Sequence, residues 1–222
     1  MSFRQRVYLI FKGKLMFLYF NGCSYTYGTE LENIEDERFS TLVSKHFNAD
    51  HLNDAARGSS NDTIVRKTFE FLENNKCDYG IIIMTHSNRI ELTYPITNRL
   101  TSLRPRKSEC RLFYERYYND EVGSINYYRN RFLLEQEFSR RGIPLILLQI
   151  NNVLGDNVYK RMCDGELPTI TRRPHEDYKT LLGHGRNPKY FYHKGKNRLD
   201  GHFNVDGHRK VADFIINQID VV

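Results

Sequence analysis

Four polar segments of the chain carry the residue types that acyl transfer requires. Ser24 lies in the segment 21–28, Gly58 in 54–61, Asn88 in 85–89 and His202 in 200–208. A serine hydroxyl is a weak nucleophile until a histidine removes its proton, and backbone or amide N–H groups stabilise the oxyanion that forms. The sequence therefore holds the components of a serine hydrolase site, provided that the fold brings these segments together.

Regular elements flank each of the four segments. Mostly apolar runs predict buried strands at 16–21, 79–85 and 143–150, and 50–54 has a weaker strand pattern. Hydrophobic periodicity predicts helices at 36–47, 62–74, 126–141 and 206–220. Apolar strands that alternate with helices are typical of a parallel sheet covered on both faces. We predict an α/β fold, a three-layer α/β/α sandwich with a mostly parallel central sheet, whose active site lies at the carboxyl ends of the strands.

The order of the four segments resembles that of the conserved blocks in the SGNH hydrolase superfamily, the GDSL-type esterases and lipases. The first block, GDSxxxG, matches residues 22–28, with Cys23 in place of the usual aspartate. Gly58 matches the glycine block, and Asn61 three residues later supports that match. The resemblance covers nearly the whole chain and implies the flavodoxin-like SGNH fold.

The last two blocks depart from the family pattern. Asn88 is in register with the GxND block, but His86 replaces the usual glycine and Arg89 the usual aspartate. The final block, DxxH in most members, is one residue shorter at 200–202, as it is in some relatives that act on polysaccharide acetyl groups.

The resemblance implies a mechanism for an esterase or deacetylase. Ser24 would be the nucleophile, His202 its base, and Asp200 the carboxylate that fixes the histidine tautomer. The backbone N–H groups of Ser24 and Gly58 and the side-chain amide of Asn88 would hold the oxyanion. No cofactor is implied, and the four cysteines lack the spacing of a metal site.

Two long segments, 92–125 and 151–199, interrupt the alternation and are rich in Tyr, Arg and Lys. We predict that both are insertions near the active site, although a solvated face with a small core of its own remains the alternative. The predicted substrate contacts are Arg89, Arg172, Arg173 and Tyr190, because a guanidinium binds anions and an aromatic ring stacks on sugars. For Arg89, an ion pair with Glu91 is the alternative.

Length and composition exclude other protein classes. The 222 residues, 40% of them hydrophobic, fit a single domain spanning 1–222, and no apolar run reaches the roughly 18 residues of a membrane span. Lys12 and Lys14 interrupt the apolar N-terminal stretch, so we expect no signal peptide and a cytoplasmic protein. A start at Met16 would leave residues 1–15 as an N-terminal appendage.

Three functions remain open at this point. The first is hydrolysis of a small-molecule or glycan ester by a serine esterase. The second is a catalytically silent SGNH-fold module with a binding or structural role, which the degenerate third block and the shortened last block favour. Nucleic-acid binding by the basic insertions, prompted by the net charge of +6, ranks last because the ordered blocks would then be coincidence. The sequence does not indicate an oligomeric state.

Overall fold

A four-stranded parallel sheet organises the protein. The computed structural model describes residues 16–94, 99–104, 108–150 and 202–219. The strands of this sheet are β1 (Phe17–Asn21), β2 (Asp50–Asn53), β3 (Tyr79–Met84) and β6 (Leu145–Gln149), in the order β2-β1-β3-β6. All three pairings are parallel, and Leu18 of β1 is in register with His51 on one side and Tyr79 on the other. The predicted fold class is confirmed.

Helices cover both faces of this sheet. The described helices are α1 (Ser24–Tyr27), α2 (Ile34–Glu37), α3 (Phe39–Phe47), α4 (Asn61–Asn74), α5 (Arg111–Arg116), α6 (Asp120–Arg140) and α7 (Val205–Ile219). Of these, α3 and α7 cover one face of the sheet and α4 and α6 the other. Side chains alternate across the sheet, so each strand supplies two cores. Leu18 and Ile81 pack in a core with α3 and α7, whereas Tyr19 and Ile82 pack in a core with α4 and α6. Burial on both faces explains why β1, β3 and β6 are mostly apolar, whereas the edge strand β2 is polar and partly exposed.

The segment 92–125 has more regular structure than its sequence suggests. An antiparallel hairpin of β4 (Ile90–Tyr94) and β5 (Arg99–Leu103) opens it, and a 3₁₀ turn at Ser108–Cys110 and α5 follow. Helix α6 begins at Asp120, earlier than predicted, with the Asn119 side chain capping its first turn. Helix 36–47 was also predicted as one element, but extended backbone at Arg38 divides it. These elements and helix ends are short or polar, so their sequences show too little hydrophobic periodicity for their bounds to be predicted.

Several predicted features lie outside the described residues. They are the N-terminal segment 1–15, the insertion 151–199 and the predicted site residues Arg172, Arg173, Tyr190 and Asp200. Within the described ranges, no helix combines the length and apolar character needed to cross a membrane.

Candidate active site

Ser24 begins α1 immediately after the carboxyl end of β1, and its side chain is buried. Gly22 allows this tight strand-to-helix turn, because a Cβ at that position would lie 2.2 Å from Thr26 Oγ1 and 3.0 Å from the Ile83 carbonyl oxygen. The first N–H groups of a helix have no partner within it. The turn therefore places the Ser24 hydroxyl at the first turn of a helix, where backbone N–H groups point away from the helix and can bind an oxyanion.

A buried polar network supports this turn from below. The Asn21 Oδ1 atom accepts from the Gly22 N–H at 2.7 Å, and its Nδ2 atom donates to the Ile64 carbonyl and to Thr68 Oγ1. The hydroxyl of Tyr19 joins the same network, and burial is the main reason that its pKa lies far above the ordinary value. A satisfied polar network in a core fixes one geometry, here that of the nucleophile loop.

Gly58 follows β2 and adopts a left-handed backbone conformation with φ of 80°. A Cβ there would lie 2.9 Å from Nη1 of Arg104, so the guanidinium of Arg104 covers the open face of this glycine. Arg104 Nε is buried without a hydrogen-bond partner among the described residues. Arg104, which follows β5, thus places a cation directly against Gly58, the predicted oxyanion donor. This contact was not predicted from the sequence.

Loops 54–61 and 85–89 are joined by Asn61, the first residue of α4. Its Oδ1 atom accepts from the Thr85 N–H at 2.8 Å, and its Nδ2 atom donates to the Thr85 carbonyl at 3.2 Å. In the sequence, Asn61 only supports the match of Gly58 to the glycine block. The structure shows that this side chain ties the glycine segment to the segment that carries Asn88.

Asn88 lies in a turn after β3 and is half-buried. The hydroxyl of Tyr114, on α5, donates to the Asn88 carbonyl at 2.6 Å. Burial is the main cause that raises the pKa of Tyr114 to about 12, so this hydroxyl stays protonated as a donor near neutral pH. The first insertion therefore contacts the Asn88 turn through Tyr114, just as it contacts Gly58 through Arg104.

Arg89 takes part in loop structure. Its Nη1 atom donates to Thr85 Oγ1 at 2.9 Å and lies 3.4 Å from the Ser59 carbonyl oxygen. The alternative ion pair with Glu91 is wrong, because Glu91 binds Arg66 through two hydrogen bonds of 3.0 and 3.1 Å. Arg66 projects from α4, which the hairpin crosses, and this tertiary contact cannot be read from sequence spacing.

His202 comes to the nucleophile loop from the far end of the chain. Its ring centroid lies 5.1 Å from that of Tyr25, the residue after Ser24, and the adjacent Phe203 ring also packs on Tyr25. The Nδ1 atom of His202 lies 3.2 Å from Oε1 of Glu30. The ring N–H does not point toward the carboxylate oxygen. The contact therefore has the distance of an ion pair but is not a hydrogen bond.

The parallel strands bring these segments to one edge of the sheet. The Ala56 N–H donates to the Gly22 carbonyl at 3.4 Å, which connects the glycine segment to the nucleophile loop. Ser24, Gly58, Asn88 and His202 therefore all follow or approach the carboxyl ends of β1, β2 and β3. The described residues contain no cluster of His, Cys, Asp and Glu that could hold a metal ion.

Comparison with known proteins identifies the fold. No family model matches the sequence, and no curated protein matches it either. The structure is similar to a member of the lipolytic protein G-D-S-L family from Veillonella parvula, with a TM-score of 0.51 and 13% identity over 94% of this chain and 100% of that one.

Two further solved structures are similar. TesA gives a TM-score of 0.53 and 12% identity over 93% of this chain and 99% of that one. A two-domain esterase (CEX) active on acetylated mannans gives 0.51 and 16% identity, over 98% of this chain and 50% of that one. At these identities the comparisons show the fold alone, and the chain has the fold of the SGNH (GDSL-type) hydrolase superfamily.

Proposed function

We propose that this protein is a serine ester hydrolase with Ser24 as nucleophile and His202 as base. The observation that carries the proposal is the packing of the His202 ring on Tyr25, next to Ser24. Tyr25 and His202 are far apart in the sequence, so no single secondary-structure element brings them together and their contact is set by the tertiary fold. This packing beside Ser24 supports His202 as the base, a role in which its ring nitrogen must come within hydrogen-bond reach of the serine hydroxyl.

The proposed reaction has two steps. Ser24 Oγ attacks the ester carbonyl carbon while His202 takes the hydroxyl proton, and the same proton then passes to the departing alkoxide. A water molecule next attacks the acyl-serine while His202 takes its proton; the bond between the acyl carbon and Ser24 Oγ then breaks, the proton returns from His202 to Oγ, and the acid is released. The N–H groups of Ser24 and Gly58 and the amide of Asn88 would stabilise the oxyanion in both steps, each worth roughly 3 kcal/mol.

The proposed substrate is a polar ester with an anionic or sugar component. The guanidinium of Arg104 against Gly58 supports an acidic group near the acyl end of the substrate. Its Nε atom has no hydrogen-bond partner in the described part of the chain, and a partly buried cation of this kind favours a negative ligand. A glycan ester is also a candidate, because one protein of similar structure is an esterase active on acetylated mannans. Arg89, Arg172, Arg173 and Tyr190 stay proposed contacts.

The test is hydrolysis of acetyl esters of neutral alcohols, sugars and acidic sugars, measured as acetate release. The wild-type protein should hydrolyse at least one class, and Ser24→Ala should lose at least about 10³-fold in kcat. Ser139→Ala, at an exposed serine of α6, is the matched control and should retain full activity. Equal rates for wild type and Ser24→Ala would favour the catalytically silent module.

A further inference from the structure

We propose that Glu30 is the carboxylate that positions His202, in place of the Asp200 expected from the family pattern; this rests on the proposed hydrolase function. Oε1 of Glu30 lies 3.2 Å from Nδ1 of His202. Both side chains are mostly shielded, with exposed fractions of 26% and 20%. The structure thus places a carboxylate at ion-pair distance from the ring nitrogen opposite the one that would receive the serine proton, and a rotation of the His202 ring would align its N–H with that carboxylate.

The chemistry of the ring explains why this contact matters. A neutral imidazole carries one proton, and a carboxylate at Nδ1 keeps that proton there. The lone pair then resides on Nε2, which is free to accept the proton from Ser24. When the imidazolium forms, the same carboxylate stabilises its charge. Glu30 acts through His202 in this scheme and is a positioning residue.

The backbone at Glu30 is the second observation. Glu30 has φ of 75°, a left-handed conformation that side chains other than glycine seldom adopt. Asn48, the other non-glycine residue with positive φ in the described chain, has an ordinary explanation as the residue that ends α3. Glu30 lies in a loop, ends no helix, and is held in this strained conformation with its carboxylate against His202.

The two oxygens of the carboxylate have different surroundings. Oε1 faces His202, whereas Oε2 is buried without a hydrogen-bond partner among the described residues. A buried carboxylate oxygen without a partner is destabilising. Among the described residues, neither the backbone conformation nor the second oxygen of Glu30 stabilises the loop, and the contact with His202 is what the acid provides.

The kinetic test compares two acids of the same loop. Glu30→Gln keeps the size of the side chain but removes its charge, and we expect kcat to fall by at least about 100-fold while KM changes less than twofold. Glu32→Gln, at an exposed glutamate two residues away, removes the same charge and should leave kcat unchanged. A Glu30→Gln enzyme within threefold of wild type overturns the proposal, as does an Asp200→Asn variant that alone is crippled.

A second measurement does not depend on turnover. In the ¹⁵N NMR spectrum of the imidazole, the wild-type protein at neutral pH should show a protonated Nδ1 and an unprotonated Nε2 for His202. Glu30→Gln should shift the tautomer toward a protonated Nε2, whereas Glu32→Gln should not. An unchanged tautomer in Glu30→Gln overturns the proposal even if the protein hydrolyses no ester, so the two hypotheses fail separately.

Glu30→Gly separates positioning from folding. Glycine adopts the left-handed backbone without strain, so this variant should melt at the wild-type temperature or above it while kcat falls as in Glu30→Gln. A lower melting temperature would show that Glu30 contributes to the fold instead, and would contradict the role proposed here.

Discussion

Asn61 holds the backbone of Thr85 from both sides, accepting its N–H at 2.8 Å and donating to its carbonyl at 3.2 Å. Asn61→Ala would leave both buried backbone groups unpaired, and each such group costs about 1–3 kcal/mol. We therefore expect the free energy of unfolding to fall by at least about 2 kcal/mol, with a lower kcat, measured by urea denaturation and ester hydrolysis.

Asn74→Ala is the matched control for this change. Asn74 lies at the exposed end of the same helix, where its amide donates to the Glu70 carbonyl. Its replacement should change the free energy of unfolding by less than about 0.5 kcal/mol, as is usual for surface positions. If the two variants were equally stable, the contact between Asn61 and Thr85 would not hold the loops together.

Gly58→Ala tests the close approach of Arg104. The new Cβ would meet the Arg104 guanidinium at 2.9 Å and would also strain a backbone with positive φ. Gly142→Ala has the same kind of backbone strain but nothing within 4 Å of the new Cβ, so it measures the strain alone. We expect both to lose about 1–2 kcal/mol of stability, and only Gly58→Ala to lose activity. Equal activity in both would remove Arg104 and Gly58 from the site.

Asn88→Ala tests the oxyanion donor. Its contact with substrate would strengthen in the transition state, so kcat should fall by about 10²-fold while KM changes little. Tyr114→Phe removes the hydroxyl that fixes the Asn88 carbonyl and should give a smaller loss of kcat. An unchanged kcat in Asn88→Ala would make it a turn residue without a catalytic role.

Arg104→Met tests the proposed preference for anionic esters. The apolar stem of the side chain is retained and the charge is lost, so KM should rise at least about tenfold for an acidic ester and little for a neutral one. In the wild type, high salt should raise KM for the acidic ester more than KM for the neutral ester, because salt screens the attraction between Arg104 and the acidic group. Arg111→Met is the control, because Arg111 is exposed and paired with Glu115 in the same insertion. Equal KM changes for both esters would contradict the proposed preference.

Most of the central sheet was predictable from the sequence because three of its four strands, β1, β3 and β6, are largely buried on both faces. Runs such as 79–84 are almost wholly apolar, and this pattern has few alternatives to a parallel strand. The hairpin of β4 and β5 escaped prediction for the opposite reason. Leu92 and Leu100 are more than 40% exposed, so the hairpin has no apolar run to reveal it.

Two kinds of signal allowed the candidate site to be predicted: a position directly after a strand, and, for His202, the resemblance of its segment to the last family block. Ser24, Gly58 and Asn88 could be proposed as site residues because each follows a strand and parallel strands place their carboxyl ends at one edge. Glu30 and Arg104 approach the site from loops, and only tertiary packing sets where they lie. A positive φ at glutamate leaves no signal in the sequence, so the contact with His202 could not have been anticipated.

Covalent labelling by a fluorophosphonate probe tests the central claim most directly, because it requires an activated serine but no knowledge of the substrate. Intact mass and peptide mapping would show where the label is attached. We predict one label per chain on Ser24 in the wild type, none in Ser24→Ala, and much slower labelling in His202→Ala. An unlabelled wild type, or equal labelling of Ser24→Ala, would contradict the assignment of Ser24 as the nucleophile.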